Sequence, residues 1–322
     1  MRRMLLSLLA VLIVIGCEAT HKPKSITPKE MNEIVAFLAS DSLKGRRAGS
    51  EGIDLSANYI EDYFRTIEIK PYYKTYRDDF KIDSLEAFNV IGVLEGNDPA
   101  LKNEVVMLSA HYDHIGEGKS IKRFKGRLTA VDSIANGAND NASGTAMVMA
   151  LAKHFGKERN NKRTLMFVLF TGEEFGLLGS KHLAKRLKEE GLNLYTMINF
   201  EMLGVPFNDN RDYDVFLSGY DLSNMAEKIN DYSTSTVLGK SDVAVKYHLF
   251  KRSDNYSFYS AFKVPCQTIS SCDMTNYDFY HHVDDETDKL DYKHMANVAN
   301  TLIPAIEAMA NSKTREIKMN DE

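Results

Sequence analysis

Histidine and acidic residues gather at five places that the sequence predicts to be strand ends or neighbouring loops. They are His111-Tyr112-Asp113-His114, Asn139-Asp140-Asn141, Glu173-Glu174, Glu201 and Tyr280-His281-His282. The carboxyl ends of parallel strands meet at one edge of a sheet, so these side chains are expected to share one pocket. Imidazole and carboxylate donors together suit zinc. The sequence therefore predicts a metal centre built from distant segments.

The number of candidate donors bears on the number of metal ions. One catalytic zinc ion takes three protein ligands and keeps an open position. At least five candidates converge here, and one carboxylate is left over. Such a set suits two cations about 3.5–4 Å apart, with one carboxylate bridging them. A remaining glutamate could then accept a proton from water and pass it to a leaving amine.

Alternating strands and helices are predicted to position these residues. Strands are expected over 88–94, 105–110, 165–170, 195–200, 215–218 and 264–270, and the run 165–170 is apolar throughout. Helices are expected over 27–38, 52–66, 143–155, 176–188, 221–232 and 293–309. This alternation indicates an α/β fold, a single three-layer domain in which helices flank a mostly parallel central sheet.

Several segments of the chain resemble one enzyme family in content and in order. They run from Ser109 to His114, from Gly137 to Gly144, from Phe170 to Ser180, from Asn199 to Gly204, and over Tyr280-His281 with Asp285 beyond. The early Asp41-Ser42-Leu43-Lys44-Gly45-Arg46 also matches a family segment. The chain resembles the co-catalytic two-zinc aminopeptidases, whose relatives include glutamate carboxypeptidases and glutaminyl cyclases. The resemblance implies a phosphorylase/hydrolase-like zinc exopeptidase fold.

The resemblance also implies a ligand set for two zinc ions per chain. His111 and Glu201 would hold one ion, Glu174 and His281 the other, and Asp140 would bridge both. The family commonly has aspartate where this chain has Glu201, which puts the metal spacing at that position in question. Two alternatives stay open: His282 could replace His281, and Glu173 could exchange roles with Glu174. His114 is expected to lie outside the ligand set.

Further roles follow from the same resemblance. Glu173 would be the general base, Asp113 would orient the ring of His111, and Tyr280 would contact the substrate and help to polarise its carbonyl. The implied activity is zinc-dependent removal of residues from peptides or small proteins with a free N-terminus, through a water that bridges the metals. Two other functions are considered: a glutaminyl cyclase-like transferase with one zinc ion, and a peptide-binding lipoprotein without activity.

The first residues differ from the rest of the chain. Arg2 and Arg3 precede an apolar run from Met4 to Ile15, a pattern typical of a secretory signal. Val14-Ile15-Gly16-Cys17 resembles the lipoprotein box of bacteria, which implies cleavage before Cys17 and lipidation of its thiol. A plain signal peptide is the alternative. The predicted division is a signal peptide over 1–16, a tether over 17–26, a peptidase domain over 27–312 and a polar tail over 313–322.

Composition and cysteine content limit the possible partners and the compartment. The formal net charge of the 322 residues is -5. No basic excess is present, so nucleic acid is not an expected partner. The membrane is an expected partner through the lipid anchor, and the chain is expected to be an exported bacterial lipoprotein on the periplasmic or cell-surface side. In that oxidising setting Cys266 and Cys272 are expected to form a disulfide, with two buried free thiols as the alternative.

Overall fold

The computed structural model describes residues 26–117, 133–233 and 235–320. The predicted signal peptide, the predicted lipidation site Cys17 and nearly all of the predicted tether lie outside these residues. Export and lipid anchoring therefore stay predictions. Among the described residues, no helix combines the length and the apolar character needed to cross a bilayer.

One sheet of nine strands forms the centre of the described chain, and two further short strands pair beside it. The strands are β1 Lys70–Pro71, β2 Arg77–Ile82, β3 Leu85–Leu94, β4 Glu104–His111, β5 Gly116–Glu117, β6 Ile134–Ala135, β7 Thr164–Phe170, β8 Asn193–Glu201, β9 Val215–Leu217, β10 Leu238–Gly239 and β11 Cys266–Ser270. The order across the sheet is β1-β3-β7-β4-β8-β11-β9-β10, and β2 pairs with β3. Strands β7, β4, β8 and β11 are mutually parallel at the centre. Antiparallel partners β3 and β9 flank them.

Helices cover both faces of this sheet. They are α1 Pro28–Leu38, α2 Glu51–Thr66, α3 Gly144–Glu158, α4 Leu178–Glu189, α5 Met225–Tyr232, α6 Asp242–Lys246, α7 Asn255–Phe262 and α8 Tyr292–Asn311. The predicted start of the first helix is confirmed: the Thr27 hydroxyl accepts a hydrogen bond from Glu30 N at 3.2 Å, and Pro28 follows as the first helical residue.

The three-layer arrangement follows from the alternation of side chains along buried strands. Val106 and Leu108 of β4 pack in the core that contains α1, α2, α3, α5 and α8. Val105 and Met107 point to the other face, into the core shared with α4 and α7. Both faces of the central strands are therefore apolar, which explains why the sequence shows continuous apolar runs there rather than alternation. The predicted α/β fold is confirmed.

The predicted disulfide is wrong: Cys266 and Cys272 are both free and buried. Cys266 begins β11, and the next four residues continue the extended strand. At about 3.3 Å per residue this strand alone carries the chain well beyond the Cα separation of about 4.4–6.8 Å that a disulfide allows. The two sulfurs also belong to different apolar clusters.

Both thiols are expected to resist labelling in the native protein. Burial raises the pKa of the Cys266 thiol, and it raises the pKa of Cys272 to about 12. Since the thiolate is the reactive form, a thiol-reactive dye should label these two residues only after denaturation, and prior reduction should not change the result. Peptide mapping of the non-reduced protein provides the check, and a peptide linked through Cys266 and Cys272 would contradict the free thiols.

Candidate active site

Three adjacent parallel strands carry candidate metal donors at or directly after their carboxyl ends, at one edge of the sheet. His111 is the last residue of β4, Glu201 is the last residue of β8, and Glu173-Glu174 follow β7. Because β4 pairs with both β7 and β8, the three strand ends are neighbours. The prediction that these side chains share one edge is confirmed.

The first donor cluster comprises His111, Asp140 and Glu201. His111 Nε2 lies 3.0 Å from Glu201 Oε1 and 3.4 Å from Asp140 Oδ1. The second carboxylate oxygen of Glu201 accepts a hydrogen bond from the Ser253 hydroxyl. His111 Nδ1 lies 3.1 Å from the main-chain oxygen of Asp113 and 3.5 Å from its carboxylate, so Asp113 lies beside the ring that it is expected to orient.

The second donor cluster uses the other oxygen of Asp140. His281 Nε2 lies 3.4 Å from Asp140 Oδ2 and 3.1 Å from both carboxylate oxygens of Glu174. Asp140 therefore presents one oxygen to each histidine, as a bridging carboxylate does. His282 is placed differently, since its Nδ1 accepts a hydrogen bond from the main-chain nitrogen of Asp284. Both histidine contacts of the Glu173-Glu174 pair, among the described residues, go to Glu174.

The distances within these clusters fit zinc. Ligand atoms that surround a tetrahedral zinc ion at about 2.0–2.1 Å are about 3.3 Å from one another. The observed donor separations of 3.0, 3.1 and 3.4 Å bracket that value. Asp140 Oδ2 is buried and has no hydrogen-bond partner among the described residues, so it is available to a cation.

His114 lies inside the site, which the sequence prediction did not expect. Its ring is fully buried, and Nδ1 lies 3.1 Å from Glu174 Oε1 and 3.8 Å from Asp140 Oδ2. The three residues form a group that could hold a cation. Its spacing of three residues from His111, just past the end of β4, was the available signal. The path of the loop after the strand decides whether such a side chain turns inward.

The loop that carries Asp140 is held by side chains on both sides. Asp285 accepts hydrogen bonds from the main-chain nitrogens of Asn139 and Asp140, at 2.8 and 3.0 Å. Asn141 donates to the main-chain oxygen of Phe200 at 2.9 Å, directly before Glu201. Hydrogen bonds from side chains to the main chain therefore hold the segment of Asp140 in place beside Glu201.

Interactions within the two clusters favour protonated histidines and ionised carboxylates. Burial alone would lower the pKa of His111, yet the nearby Glu201, Asp113 and Asp140 raise it well above its ordinary value. Burial alone would raise the pKa of Asp140, yet the nearby imidazoles of His111 and His281 hold it well below its ordinary value. Positive charge therefore stabilises the carboxylate cluster, and a cation would supply it more strongly than protons.

Glu173 has a different environment from Glu174. Burial raises the pKa of Glu173 well above its usual value, with the charges of Glu174 and Glu201 adding to the effect and His111 opposing it. The pKa of Glu174, in contrast, is lowered to about 2 because hydrogen bonds to His114 and His281 outweigh burial and the charge of Asp140. Adjacent carboxyl groups with separated pKa values suit separate roles as proton acceptor and ligand.

Two cavities that share lining residues open onto the clusters. The smaller, about 490 Å³, has a largely apolar wall and reaches Glu201. Its apolar and sulfur-containing lining residues are Met202, Phe216, Leu249, Cys272 and Met274. The wider cleft, about 1170 Å³, is bordered by Glu173, Glu174 and His281. Tyr280 and Arg252 line both, and the Tyr280 ring stacks on His281 with 3.9 Å between centroids.

Fold and site together define an α/β protein with donors for two cations at the strand ends of its central sheet. The chain belongs to peptidase family M28, whose profile matches residues 89–306. The family resemblance read from the motifs is thereby confirmed.

Related sequences carry peptidase names. A probable leucine aminopeptidase of Trichophyton verrucosum (strain HKI 0517) is 28% identical over 235 residues, which are 69% of this chain and 55% of that protein. A probable zinc metalloprotease of Pyrenophora teres f. teres (strain 0-1) is 28% identical over 199 residues, which are 58% of this chain and 38% of that protein. The chain thus spans about two fifths to about half of the length of these relatives.

Solved structures share the fold. The aminopeptidase from Aneurinibacillus sp. strain AM-1 is similar with a TM-score of 0.66 at 16% identity, over 89% of this chain and 95% of that chain. A glutaminyl cyclase from Fimbriiglobus ruber is similar with a TM-score of 0.67 at 20% identity, over 88% of this chain and 97% of that chain. At such identities the likeness establishes the fold, which both kinds of enzyme share.

Proposed function

We propose that the chain is a zinc-dependent aminopeptidase that hydrolyses the first bond of peptides with a free N-terminus. The observation that carries this proposal is the placement of Asp140, which presents one oxygen to His111 and the other to His281 at 3.4 Å each. Two groups of donors therefore share one carboxylate. The leucine aminopeptidase names of several relatives support the same activity.

The proposed activity assigns a metal-binding or proton-transfer role to each residue of the site. His111 and Glu201 would hold one zinc ion, Glu174 and His281 the other, and Asp140 both. When bound, the two ions would polarise the scissile carbonyl and lower the pKa of water towards neutrality. Glu173 lies at the mouth of the clusters with a raised pKa, suited to take a proton from the attacking water. It would then deliver that proton to the nitrogen of the leaving amine.

The cavity walls support cleavage at the amino end. A free α-amine is protonated near neutral pH, and the carboxylates of Glu173 and Glu201 border the cavities that would receive it. The apolar wall beside Glu201 suits an uncharged side chain on the first residue. We therefore propose that peptides with an apolar first residue are the preferred substrates.

A substrate panel tests this proposal. Leucyl, alanyl and glutamyl p-nitroanilides are expected to be hydrolysed with leucyl the fastest, whereas N-acetyl-leucyl p-nitroanilide should be inert. Incubation with a chelator followed by its removal should abolish turnover, and added zinc should restore it, because the donors hold the ions reversibly. Absorbance at the p-nitroaniline band provides the measurement.

Two results would contradict the aminopeptidase. Hydrolysis of the N-acetylated substrate at the leucyl rate would show that the free amine is not recognised. Release of ammonia from glutaminyl peptides, with one zinc ion per chain by elemental analysis, would instead indicate the cyclase. Two zinc ions per chain support hydrolysis.

A further inference from the structure

A fully buried arginine lies behind the two donor clusters. The guanidinium group of Arg46 donates four hydrogen bonds, all to main-chain carbonyl oxygens. Nε donates to Tyr112 O at 2.8 Å and Nη2 to Gly137 O at 2.9 Å. Nη1 donates to the carbonyl oxygens of Leu38 and Asn136, at 2.5 Å each. One side chain thus joins three separate segments of the chain.

Two of those segments carry donors of the candidate metal centre. Tyr112 directly follows His111, and Gly137 precedes Asp140 by three residues. His111 and Asp140 belong to the same cluster, so their separation must stay constant if a cation is to be held between them. Arg46 spans these two segments through a planar group whose donors keep a fixed geometry.

The backbone around Arg46 has an unusual conformation that aims the side chain inward. Lys44, Gly45 and Arg46 all have positive φ, at 48°, 67° and 45°. A Cβ atom on Gly45 would lie 2.4 Å from Ala135 O, so the turn has no room for a side chain there. The main-chain nitrogen of His114 donates to Arg46 O at 3.2 Å, a second link to the same loop. Successive left-handed residues persist only where surrounding contacts hold them, and they concentrate at functional sites.

The charge of Arg46 is not used in a direct ion pair. Among the described residues no carboxylate lies within ion-pair distance of its guanidinium. All four hydrogen bonds of the group go to main-chain carbonyl oxygens instead. Burial lowers the pKa of Arg46 to about 10, and the carboxylates of Asp285, Asp113 and Asp140 act against that effect. The group therefore stays charged at neutral pH, and its field acts on the buried carboxylates.

We propose that Arg46 is a positioning residue for the metal centre: it fixes the segment after His111 against the segment before Asp140 and sets their separation for cation binding. The inference rests on the proposed function, because it needs a cation in the clusters. The distinct consequence is that loss of the guanidinium weakens metal binding in protein that is still folded.

A second buried arginine provides a matched control. Arg163 is also fully buried, and it donates to the carbonyl oxygens of Met309 and Ser312 and pairs with Glu104 at 2.6 Å. It directly precedes β7, at the edge of the sheet opposite the clusters. Replacing Arg163 removes a comparable buried network without touching a segment that carries a metal donor.

The experiment compares Arg46→Met, Arg46→Lys and Arg163→Met with the wild-type chain. Zinc affinity is measured by competition with a fluorescent chelator, kcat and KM at saturating zinc, and the melting temperature without metal. Arg46→Met is expected to weaken zinc binding about 10–100-fold, the range for lost support of a ligand, and to lower kcat with KM unchanged. Arg46→Lys should lie between, because it keeps the charge without the planar fork. Arg163→Met should lower only the melting temperature.

The outcomes separate this inference from the proposed function. If Arg46→Met lowers the melting temperature as Arg163→Met does, but binds zinc and turns over substrate like the wild type, Arg46 is purely structural and the inference is wrong. If Arg46→Met does not fold, wild-type zinc affinity in Arg46→Lys overturns the inference instead. If the wild-type chain itself binds no zinc, the proposed function fails and the inference fails with it.

Discussion

Glu173→Gln is expected to lose most peptidase activity while it keeps both zinc ions. Glutamine has nearly the shape of glutamate but cannot accept a proton from water. Of the two adjacent glutamates, only Glu174 contacts histidines among the described residues, so the donor clusters should remain intact in this variant. Loss of a positioned general base typically costs about 10²–10⁴-fold in rate. The measurement is kcat on leucyl p-nitroanilide, with zinc content determined on the same sample.

The matched control is Glu189→Gln, which makes the same chemical change at an exposed position of α4. Its kcat and zinc content should equal those of the wild type. A Glu173→Gln variant that turns over substrate at the wild-type rate would remove Glu173 from the mechanism. If it instead lost one zinc ion, the roles of Glu173 and Glu174 would be exchanged, which is the alternative that the sequence left open.

The central strands could be predicted from the sequence because a strand that is buried on both faces consists of a continuous run of apolar residues. The apolar run 165–170 lies within β7, and 105–110 lies within β4. The edge strand β2 was not predicted. Its residues alternate between buried and exposed, and its exposed positions are charged or polar, as in Asp79 and Lys81. Its place depends on pairing with β3, which is a tertiary contact.

The donor positions could be predicted because three of them are strand ends, and parallel strands bring their ends together. The cavity could not be predicted in the same way. Its wall includes Phe216, Leu249 and Met274, which belong to a short strand, a short 3-10 helix and a loop far apart in sequence. These residues come together only through tertiary packing, which the local sequence around each of them does not indicate.

The predictions about His114 and about the two cysteines both failed because the path of the backbone could not be predicted from the local sequence. The resemblance selected His111 as a ligand and left His114 out, yet the structure buries both histidines beside carboxylates. The two cysteines are close in sequence, yet the extended conformation of β11 separates them. The disulfide was predicted because the cysteines are only six positions apart. In an extended strand, however, a few residues already span a long distance.

Asp140→Asn is expected to damage both donor clusters at once. The carboxylate is the shared element, with Oδ1 at 3.4 Å from His111 Nε2 and Oδ2 at 3.4 Å from His281 Nε2. An asparagine keeps one oxygen without the negative charge, and its amide nitrogen cannot bind a cation. Zinc content should therefore fall from two ions to at most one. Since metal ions contribute several kcal/mol to transition-state stabilisation, activity should fall by about 10³-fold or more.

Single-cluster variants distinguish a bridging role from a simple loss of charge. Glu201→Gln should reduce zinc content by one ion and leave the cluster of Asp140, Glu174 and His281, because His111 is the only histidine that Glu201 contacts in the part of the chain that the structure describes. Asp231→Asn, at an exposed position of α5, serves as the control and should bind two ions. Elemental analysis after dialysis gives the counts. If Asp140→Asn retained two zinc ions, or lost no more than Glu201→Gln in both metal and activity, Asp140 would not be the residue on which both cations depend.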